Sequence, residues 1–356
     1  MAYSVFAGAG QWRAAADDAR AQGLFGLNAA TGDWQPLHEG LPSDVEVRYL
    51  AVRPDDPKVV FAGTQYGPYR SIDGGDTWSA LPLPDDTSAE ERVVWSIRLH
   101  PRDPNIVYAG TQGTAIFRSD DGGDTWRRLA VTPPPGAVAM GFPMRVVRMA
   151  LDPSNPDEVY AALEVGGVVR SLDGGANWES CNAGLLALSD DKRLKSQILS
   201  NTETEGMMDS HSLSISPSHP GQIWLANRMG LFRSDDKGTT WTEAEIGRYS
   251  DLTYARDVQV SLHDPDRIYA AFSAAAISDV GSLYRSDDFG ATWARFDKEC
   301  SIDSTLMIIA QSADAAGRVY CGARRGQVFG TEDGGTTWQE YKLPDGVEGV
   351  YALACV

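Results

Sequence analysis

Short runs of apolar residues alternate with turn-forming residues along almost the whole chain. One apolar run covers residues 47–52 and stops before Pro54, and a second covers 59–63. A Gly-Pro pair at Gly67 leads into a third run, and a fourth run surrounds Trp78. Runs of this length, separated by Pro, Gly and Asp, predict four short antiparallel strands joined by tight turns.

The same order of strands recurs through the chain. Equivalents of the second strand begin at Ile106, Val159, Ile223, Ile268 and Val319. A shared motif, Ser/Thr-x-Asp-x-Gly-x-x-Trp, follows the third strand and begins at Ser71, Ser119, Ser171, Ser234, Ser286 and Thr331. Its copies lie 45 to 63 residues apart, and such a period indicates one supersecondary unit built repeatedly. A unit of four antiparallel strands is typical of a β-propeller blade.

The repeated motif has a mechanical explanation. Its Asp side chain accepts hydrogen bonds and can cap the N–H groups of a tight turn, while its Gly adopts backbone angles that other residues resist. Its Trp packs a large apolar face against the neighbouring layer. The six copies resemble the Asp-box, or BNR, repeat of the sialidase-like propeller superfamily. The resemblance implies a turn between the third and fourth strands, away from the ligand, so the motif Asp residues are interpreted as structural.

The two ends of the chain supply a seventh blade. Residues 4–8 match a second strand, and residues 23–26 and 33–35 match third and fourth strands, but no first strand precedes them. Residues 349–354 match a first strand with nothing after it. We therefore predict an all-β fold: a seven-bladed β-propeller of four-stranded antiparallel blades, closed by pairing the C-terminal strand with the N-terminal strands in one blade. Six blades is the alternative if the N-terminal segment packs elsewhere.

The repeats predict a single propeller domain over residues 1–356, with two insertions on the ligand-facing side. Residues 11–22 suggest a short helix between a second and a third strand. Residues 181–210 form a longer excursion between blades, with a helical turn near Asp190. Long ordered insertions in compact folds are often functional, although a plain surface elaboration is equally compatible with both segments.

Composition narrows the range of partners. The 356 residues carry a net charge of −18 without any run rich in Lys or Arg, so no nucleic-acid partner is expected. No apolar stretch is long enough to span a membrane and no signal peptide is visible, which together favour a cytoplasmic location. The four cysteines, at 181, 300, 321 and 355, lack CxxC or Cys/His metal spacing. They are interpreted as buried and reduced, and we expect neither a metal site nor a cofactor.

A propeller ligand usually sits over the central channel, where loops entering first strands meet loops joining second to third strands. Aligning the first strands on their Pro turns brings seven residues to one level: Arg48, Trp95, Val147, His211, Arg256, Met307 and Tyr351. We call this set the ring. Positions two residues further along these strands are mostly apolar, so we predict a polar and aromatic mouth above a packed shaft.

The ligand-binding residues predicted from this alignment are Arg48, Trp95, Arg145, Arg256, Trp12, Arg324, Gln65 and Gln112. Arg98 and Arg148 lie on the same strands and add positive charge. Guanidinium groups gathered in an acidic protein focus positive potential and pair bidentately with carboxylates or phosphates. The predicted partner is an anionic small molecule such as a carboxylate or sugar acid. Alternatively, these arginines bridge neighbouring blades through Asp and Glu.

Catalytic candidates follow from the same alignment. His211 can act as a general base near neutral pH, with Asp209 or Asp257 to orient its ring; a buried structural His is the competing interpretation. Glu164 and Asp257 are candidates for the two carboxylates that glycoside hydrolysis needs. The family resemblance also implies a Tyr/Glu nucleophile pair, which Tyr351 or Tyr254 could imitate with Glu164. It further implies an Arg-Ile-Pro stretch, which the chain lacks, so sialidase activity is not expected.

Two functional classes remain open. The first is an intracellular enzyme, glycoside-hydrolase-like or another hydrolase or lyase, that acts on a carboxylate-bearing small molecule with His211 as base. The second is a non-catalytic propeller that holds a protein partner. An enzyme requires His211, an acidic partner and the arginines to converge within hydrogen-bond reach, whereas a scaffold would present a broad face over a plugged mouth.

Overall fold

Seven four-stranded antiparallel sheets make up the structure, a computed structural model that describes residues 2–10 and 22–356. Blade 1 contains β1 (Tyr3–Ala9), β2 (Gly23–Asn28), β3 (Trp34–Leu37) and the last strand, β28 (Val350–Cys355). Blade 2 contains β4 (Val47–Val52), β5 (Val60–Thr64), β6 (Gly67–Ser71) and β7 (Ser79–Ala80). Blade 3 contains β8 (Val94–Leu99), β9 (Val107–Thr111), β10 (Ile116–Ser119) and β11 (Arg127–Leu129).

The other four blades repeat the same order. Blade 4 contains β12 (Val146–Leu151), β13 (Val159–Leu163), β14 (Gly167–Ser171) and β15 (Glu179–Ser180). Blade 5 contains β16 (Ser210–Ile215), β17 (Ile223–Asn227), β18 (Gly230–Ser234) and β19 (Thr242–Glu243). Blade 6 contains β20 (Tyr254–Val260), β21 (Ile268–Ser273), β22 (Gly281–Ser286) and β23 (Ala294–Arg295). Blade 7 contains β24 (Leu306–Gln311), β25 (Val319–Ala323), β26 (Val328–Thr331) and β27 (Gln339–Glu340).

Short helices lie in two of the connections between blades. The connection from β15 to β16 contains α1 (Asn182–Leu188), a 3-10 turn (Lys192–Leu194) and α2 (Glu205–Met208). A second 3-10 turn (Ile246–Arg248) precedes β20. The first 3-10 turn lies within residues 190–195, where the sequence predicted a helical turn. None of the helices in residues 2–10 and 22–356 has the length and apolar character needed to cross a membrane.

The last strand closes the circle of blades, which confirms the predicted seventh blade. Strand β28 pairs antiparallel with β1, with Val5 opposite Cys355 and Ala7 opposite Leu353. Strand β1 then pairs with β2, and β2 with β3, so blade 1 is built from both ends of the chain. Pairing with β28 covers the edge of β1 that would otherwise lie open to other chains.

Small residues in the second strands allow neighbouring blades to approach closely. A Cβ on Gly63 would lie 2.9 Å from the Val94 side chain of the next blade. At Gly110 the corresponding distance to Val146 would be 2.4 Å. The recurring Ala-Gly of these strands therefore marks where the first strand of the following blade packs, and larger residues there would push the blades apart.

All four cysteine side chains are buried and none forms a disulfide, as the sequence predicted. Burial raises the pKa of Cys181 to about 12 and that of Cys355 to about 11. Because the thiolate is the reactive form, these thiols behave as small apolar core residues.

Each of the six motifs forms the same hydrogen-bonded turn between the third and fourth strands of its blade. In the first copy, Ser71 Oγ donates to Asp73 Oδ1 and accepts from Gly75 N, both over 2.8 Å. Asp73 also accepts from the N–H and the hydroxyl of Thr77, over 2.9 and 2.6 Å. Gly75 has a φ of +96°, and a Cβ there would lie 2.6 Å from the Phe6 ring of the preceding blade.

The other five turns keep the bonds between the Ser or Thr hydroxyl, the motif Asp and the turn N–H groups. Hydrogen bonds from the residue four positions later lower the pKa of Asp121, Asp173 and Asp333 to about 2. The motif carboxylates are therefore fully occupied in holding their own turns.

Arginine side chains connect the motif turns of neighbouring blades. The residue before the motif Ser is Arg in five of the six copies. In blade 3, Arg118 Nη1 donates to the carbonyl of Gly174 in the next motif over 2.9 Å, and its guanidinium lies over the Tyr108 ring. The same contact links Arg70 to Gly122, Arg170 to Lys237 and Arg285 to Gly334. A side chain that sequence analysis left unassigned thus joins adjacent blades.

Replacing Arg118 by Met is expected to lower the free energy of unfolding by about 1 to 3 kcal/mol, because a charged hydrogen bond between blades is lost. For a chain of this length the corresponding fall in Tm is about 1 to 4 °C. Differential scanning calorimetry measures it. Arg127→Met is the matched control, since Arg127 is about half exposed and lies 3.6 Å from Asp120. Equal losses in the two variants would contradict a connecting role for Arg118.

Candidate functional site

A β-bulge lies in the innermost strand of every blade, at the level where sequence alignment placed the ring. The pairing of β4 with β5 passes from Val47 to Tyr49 and skips Arg48. The same skip of one residue occurs at Trp95, Val147, His211, Arg256, Met307 and Tyr351. A bulge takes the extra residue out of the regular alternation and re-aims its side chain, a device common near active sites. Seven bulges therefore build the ring.

Aromatic and cationic side chains occupy one side of the mouth. The guanidinium carbon of Arg48 lies 4.7 Å from the centre of the Trp95 ring, and that of Arg145 lies 4.4 Å from it. Tyr351 meets the same indole edge-on, with the ring centres 5.6 Å apart. Trp95 is 6% exposed, and its Nε1 has no hydrogen-bond partner within the described residues. The indole π-system therefore contacts two cations, while its single hydrogen-bond donor stays unused.

Both of these arginines also have a carboxylate partner. Arg48 Nη2 lies 2.5 Å from Glu46 Oε2, and Arg145 Nη1 lies 2.9 Å from Glu164 Oε2. These ion pairs match the alternative in which the arginines are bridged by acidic residues. In the described part of the chain, Arg48 Nε, Arg48 Nη1 and Arg145 Nε are buried atoms without a hydrogen-bond partner.

The opposite side of the mouth continues the pattern of paired charges. Arg228 Nη1 lies 3.9 Å from Asp209 Oδ2, and Arg324 Nη1 lies 3.9 Å from Glu348 Oε2. With Arg256, five arginines face four carboxylates around the mouth. This mouth thus has one more arginine than carboxylates, in a chain whose net charge is −18.

Three neighbours fix the ring of His211. Its Nδ1 donates to the carbonyl of Ala255 over 2.7 Å. Its Nε2 lies 3.3 Å from the Tyr254 hydroxyl and 3.5 Å from Asp209 Oδ2. The His211 side chain is only 2% exposed, whereas that of Asp209 is 10% exposed. The Asp209 carboxylate therefore lies between the buried imidazole and the open mouth.

The 181–210 connection positions Asp209 at the start of β16. The buried carboxylate of Glu205 accepts the N–H groups of residues 198–200 over 2.6 to 3.2 Å, which ties a loop to α2. Asp209 ends α2, and its carbonyl accepts the N–H of Arg228 over 3.1 Å. The C-terminal end of this insertion thus places the Asp209 carboxylate next to His211.

The two mouth carboxyl groups Glu164 and Asp209 have pKa values pushed in opposite directions. Burial raises the pKa of Glu164, and Asp209 adds to this effect although Arg145 opposes it. Burial also disfavours the ionised form of Asp209, but His211 and Arg256 outweigh it and hold the Asp209 pKa below its usual value. Two such environments supply one proton donor and one ionised carboxylate at the same pH.

Asp257, which we predicted as a catalytic residue and a partner of His211, lies elsewhere. It is 2% exposed and sits below the mouth, where it accepts hydrogen bonds from Ser212 Oγ and from the N–H of Ile309. The bulge at Arg256 interrupts the regular alternation of side chains in β20. The side chains of Arg256 and Asp257 therefore lie at different levels of the channel. Asp257 joins three blades and leaves Asp209 as the acidic neighbour of His211.

Other predicted ligand-binding residues have local partners. Gln65 Nε2 donates to the carbonyl of Asp44, and its Oε1 accepts the N–H of Glu46, so it braces the loop before β4. Gln112 forms an isolated backbone bridge with Arg145. Trp12, and the insertion predicted over residues 11–22 except for its last residue, lie outside the described residues.

Glu46 and Glu348 were missed by sequence analysis. Glu46 lies two residues before the ring residue Arg48, just as Asp209 precedes His211 and Tyr254 precedes Arg256. A search for polar residues at that spacing would have found Glu46. Within residues 2–10 and 22–356, no group of three or more His, Cys, Asp or Glu side chains is placed to hold a metal ion.

Comparison with known proteins adds distant relatives. No protein-family model matches the chain. A xyloglucanase of Hypocrea jecorina (strain QM6a) is 32% identical over 126 residues, which cover 34% of this chain and 14% of that protein. The chain spans 14% to 19% of the length of the curated xyloglucanases that it matches.

Solved structures share the architecture. The GH74 xyloglucanase from Xanthomonas campestris superposes with a TM-score of 0.64 at 16% identity, covering 83% of this chain and 45% of that one. YCF48 bound to D1 peptide superposes with a TM-score of 0.55 at 18% identity, covering 86% and 85%. At these identities the likeness establishes a shared fold. The chain is thus a seven-bladed β-propeller with distant similarity to xyloglucanases.

Proposed function

We propose that this propeller is a glycoside hydrolase whose active site is the polar mouth of the central channel. The observation that carries the proposal is the carboxyl pair Glu164 and Asp209, whose pKa values are separated in opposite directions within one charged cluster. Hydrolysis of a glycosidic bond needs such a pair, one acid and one ionised carboxylate. The distant xyloglucanase relatives support the same reaction class.

Each residue has a defined task in this proposal. Protonated Glu164 donates its proton to the leaving glycosidic oxygen, and Arg145 holds the carboxylate that forms. Ionised Asp209 either takes a proton from the attacking water or attacks the anomeric carbon itself. His211 is a positioning residue, because its ring is buried and contacts Asp209 rather than the open mouth. This role replaces the general base predicted from the sequence.

The substrate class follows from the other side of the mouth. Trp95 and Tyr351 provide the aromatic surface, and Arg48 and Arg145 provide guanidinium groups next to it. We assign this sector to a sugar that carries a carboxylate, because the mouth has more arginines than acidic residues. The turn geometry of the six motifs supports our assignment of them to the Asp-box repeat, with the sialidase-like superfamily as part of this proposal.

A screen of oligosaccharide hydrolysis tests the proposal. Purified protein is incubated with neutral xyloglucan fragments and with uronic-acid-containing oligosaccharides, and the products are followed by chromatography. We expect cleavage of the acidic set, with the anomeric form of the first product separating water attack from carboxylate attack. Cleavage of neutral fragments alone would contradict the assignment of an acidic substrate. No cleavage of either set would contradict the assignment of hydrolase activity.

The pH profile of kcat/KM is expected to be bell-shaped, with its acidic limb at lower pH and its alkaline limb at higher pH than ordinary Asp and Glu residues would give. Asp209 must be ionised, so its lowered pKa places the acidic limb below the ordinary range of Asp. Glu164 must be protonated, so its raised pKa places the alkaline limb above the ordinary range of Glu. His211→Gln removes the imidazole that helps to lower the Asp209 pKa and is expected to move the acidic limb to higher pH. An unmoved acidic limb in His211→Gln would contradict the positioning role.

A second candidate function, a scaffold that binds a peptide, is favoured by one comparison. YCF48 bound to D1 peptide matches this chain over nearly equal shares of both lengths. Exposed apolar side chains also lie in loops on the mouth side of the propeller: Tyr66, Leu199, Ile277 and Val280. Capture of an extended peptide by a protein that hydrolyses no oligosaccharide would favour this scaffold over the hydrolase.

A further inference from the structure

The channel opens at the face opposite the mouth into a second cavity, which we call the funnel. Its volume is about 510 Å³, within the range of cavities that hold small ligands. Much of its wall is apolar and comes from the innermost strands and the turns that follow them, including Leu50, Val52, Ile97, Leu99, Ile215 and Val260. The funnel is thus a cavity with a mixed apolar and polar lining, placed away from the proposed active site.

The inner end of the funnel is polar. It adjoins a narrower cavity of about 120 Å³, which Arg98, Arg148 and Asp257 line. Two of these charged groups are already occupied. Asp257 accepts four hydrogen bonds, and Arg148 donates to the carbonyls of Val147 and Tyr351.

Arg98 differs from its neighbours. It lines both cavities and is exposed to solvent there, and its guanidinium has no hydrogen-bond or ion-pair partner in the described part of the chain. A guanidinium offers five N–H donors and keeps its charge in proteins. Sequence analysis grouped Arg98 with the arginines of the mouth, whereas the structure places it where the apolar wall begins.

His100 adds a second donor to the wall of the funnel. Its Nδ1 accepts the N–H groups of Arg102 and Asp103, over 3.2 and 2.9 Å. The neutral ring therefore carries its proton on Nε2, which is available to donate. Arg53, the other cation of the wall, is paired with Asp55 and Asp56, and Asp314 is the acidic residue of the wall.

We propose that the funnel is a binding site for an amphipathic monoanion, a carboxylate with a short aliphatic chain. The carboxylate pairs with the guanidinium of Arg98 at the polar end, and the chain lies along the apolar wall toward the opposite face. A charged group without a protein partner beside an apolar wall fits this class of ligand better than a neutral lipid or a small hydrophilic anion. The site is independent of the mouth and of the reaction proposed there.

Titration calorimetry with octanoate, octan-1-ol and acetate, all below micellar concentrations, tests the site. Octanoate and octan-1-ol share a chain, and octanoate and acetate share a head group. We expect octanoate to bind at least ten times more tightly than octan-1-ol, and acetate to show no saturable binding. Absence of saturable octanoate binding, or equal affinity for octanoate and octan-1-ol, would overturn the proposal.

Three variants locate the ligand. Arg98→Leu should abolish the preference for octanoate over octan-1-ol, whereas Arg98→Lys should retain part of it and guards against a folding defect. Ala313→Trp, at the wall of the funnel, should weaken both ligands by reducing the volume. Arg48→Leu, at the mouth, should leave octanoate binding unchanged. A preference for octanoate over octan-1-ol that survives in Arg98→Leu, or octanoate binding that is lost only in Arg48→Leu, would overturn the assignment to the funnel.

Discussion

Replacing Glu164 by Gln is expected to lower kcat for an unactivated glycoside by about 10² to 10⁴-fold, the usual contribution of a general acid. The amide has nearly the shape of the acid and can still accept a hydrogen bond from Arg145, which lies 2.9 Å from the carboxylate. It has no proton of suitable acidity to give to a leaving sugar. The KM should therefore change little while kcat falls, as steady-state kinetics on the cleaved oligosaccharide would show.

An activated substrate separates this chemical role from a structural one. An aryl glycoside with a good leaving group does not need the acid, so Glu164→Gln should cleave it at a rate close to that of the wild type. The alkaline limb of the pH profile should then disappear, because the group that produced it is gone. A variant that is equally slow on both substrates would remove Glu164 from the role of acid.

Asp121→Asn is the control for loss of a carboxylate. Asp121 belongs to a motif turn, where Ser119 and Thr125 donate to it, and it lies on the face away from the mouth. Its replacement should lower stability by weakening the turn but leave kcat for the glycoside unchanged. Equal losses of kcat in Asp121→Asn and Glu164→Gln would indicate a general effect of destabilisation.

The repeated motif made the fold predictable from the sequence. Its six copies gave a fixed reference in each blade, from which the strand order and the split blade closed by Val5 and Cys355 followed. The alignment also placed Arg48, Trp95 and His211 at one level, and in the structure each is the bulged residue of its strand. These features depend on local order along the chain, which a sequence records directly.

The bulges themselves could not be read from the sequence, and this explains where the prediction of the site fell short. A bulge is a property of two paired strands, since it is a residue without a partner on the neighbouring strand. Alternation within β20 alone cannot show that Arg256 is skipped. Asp257 therefore looked like a neighbour of the mouth and a partner for His211. The predicted apolar shaft likewise contains Arg148 and Asp257 together with a cavity.

Replacing Asp257 by Ala is expected to lower the free energy of unfolding by about 3 to 5 kcal/mol, because several buried donors lose a charged acceptor at once. Its two oxygens accept hydrogen bonds from Ser212 Oγ at 2.6 Å, Val258 N at 3.0 Å, Gln259 Nε2 at 3.1 Å and Ile309 N at 2.8 Å. The donors belong to three consecutive blades. An Ala removes the acceptor of the Val258 and Ile309 N–H groups, whereas Gln259 Nε2 keeps the Ile309 carbonyl as a second acceptor.

The fall in Tm for Asp257→Ala should be about 4 to 7 °C, given the unfolding entropy of a chain of this length. Asp251→Ala is the control, because Asp251 is an exposed residue in the loop before β20. At a temperature where Asp257→Ala remains folded, its kcat for the glycoside should stay near that of the wild type, since Asp257 braces the channel below the mouth. Loss of kcat without loss of stability would indicate that Asp257 belongs to the proposed active site. A loss of stability no larger than that of Asp251→Ala would contradict the role of Asp257 in joining three blades.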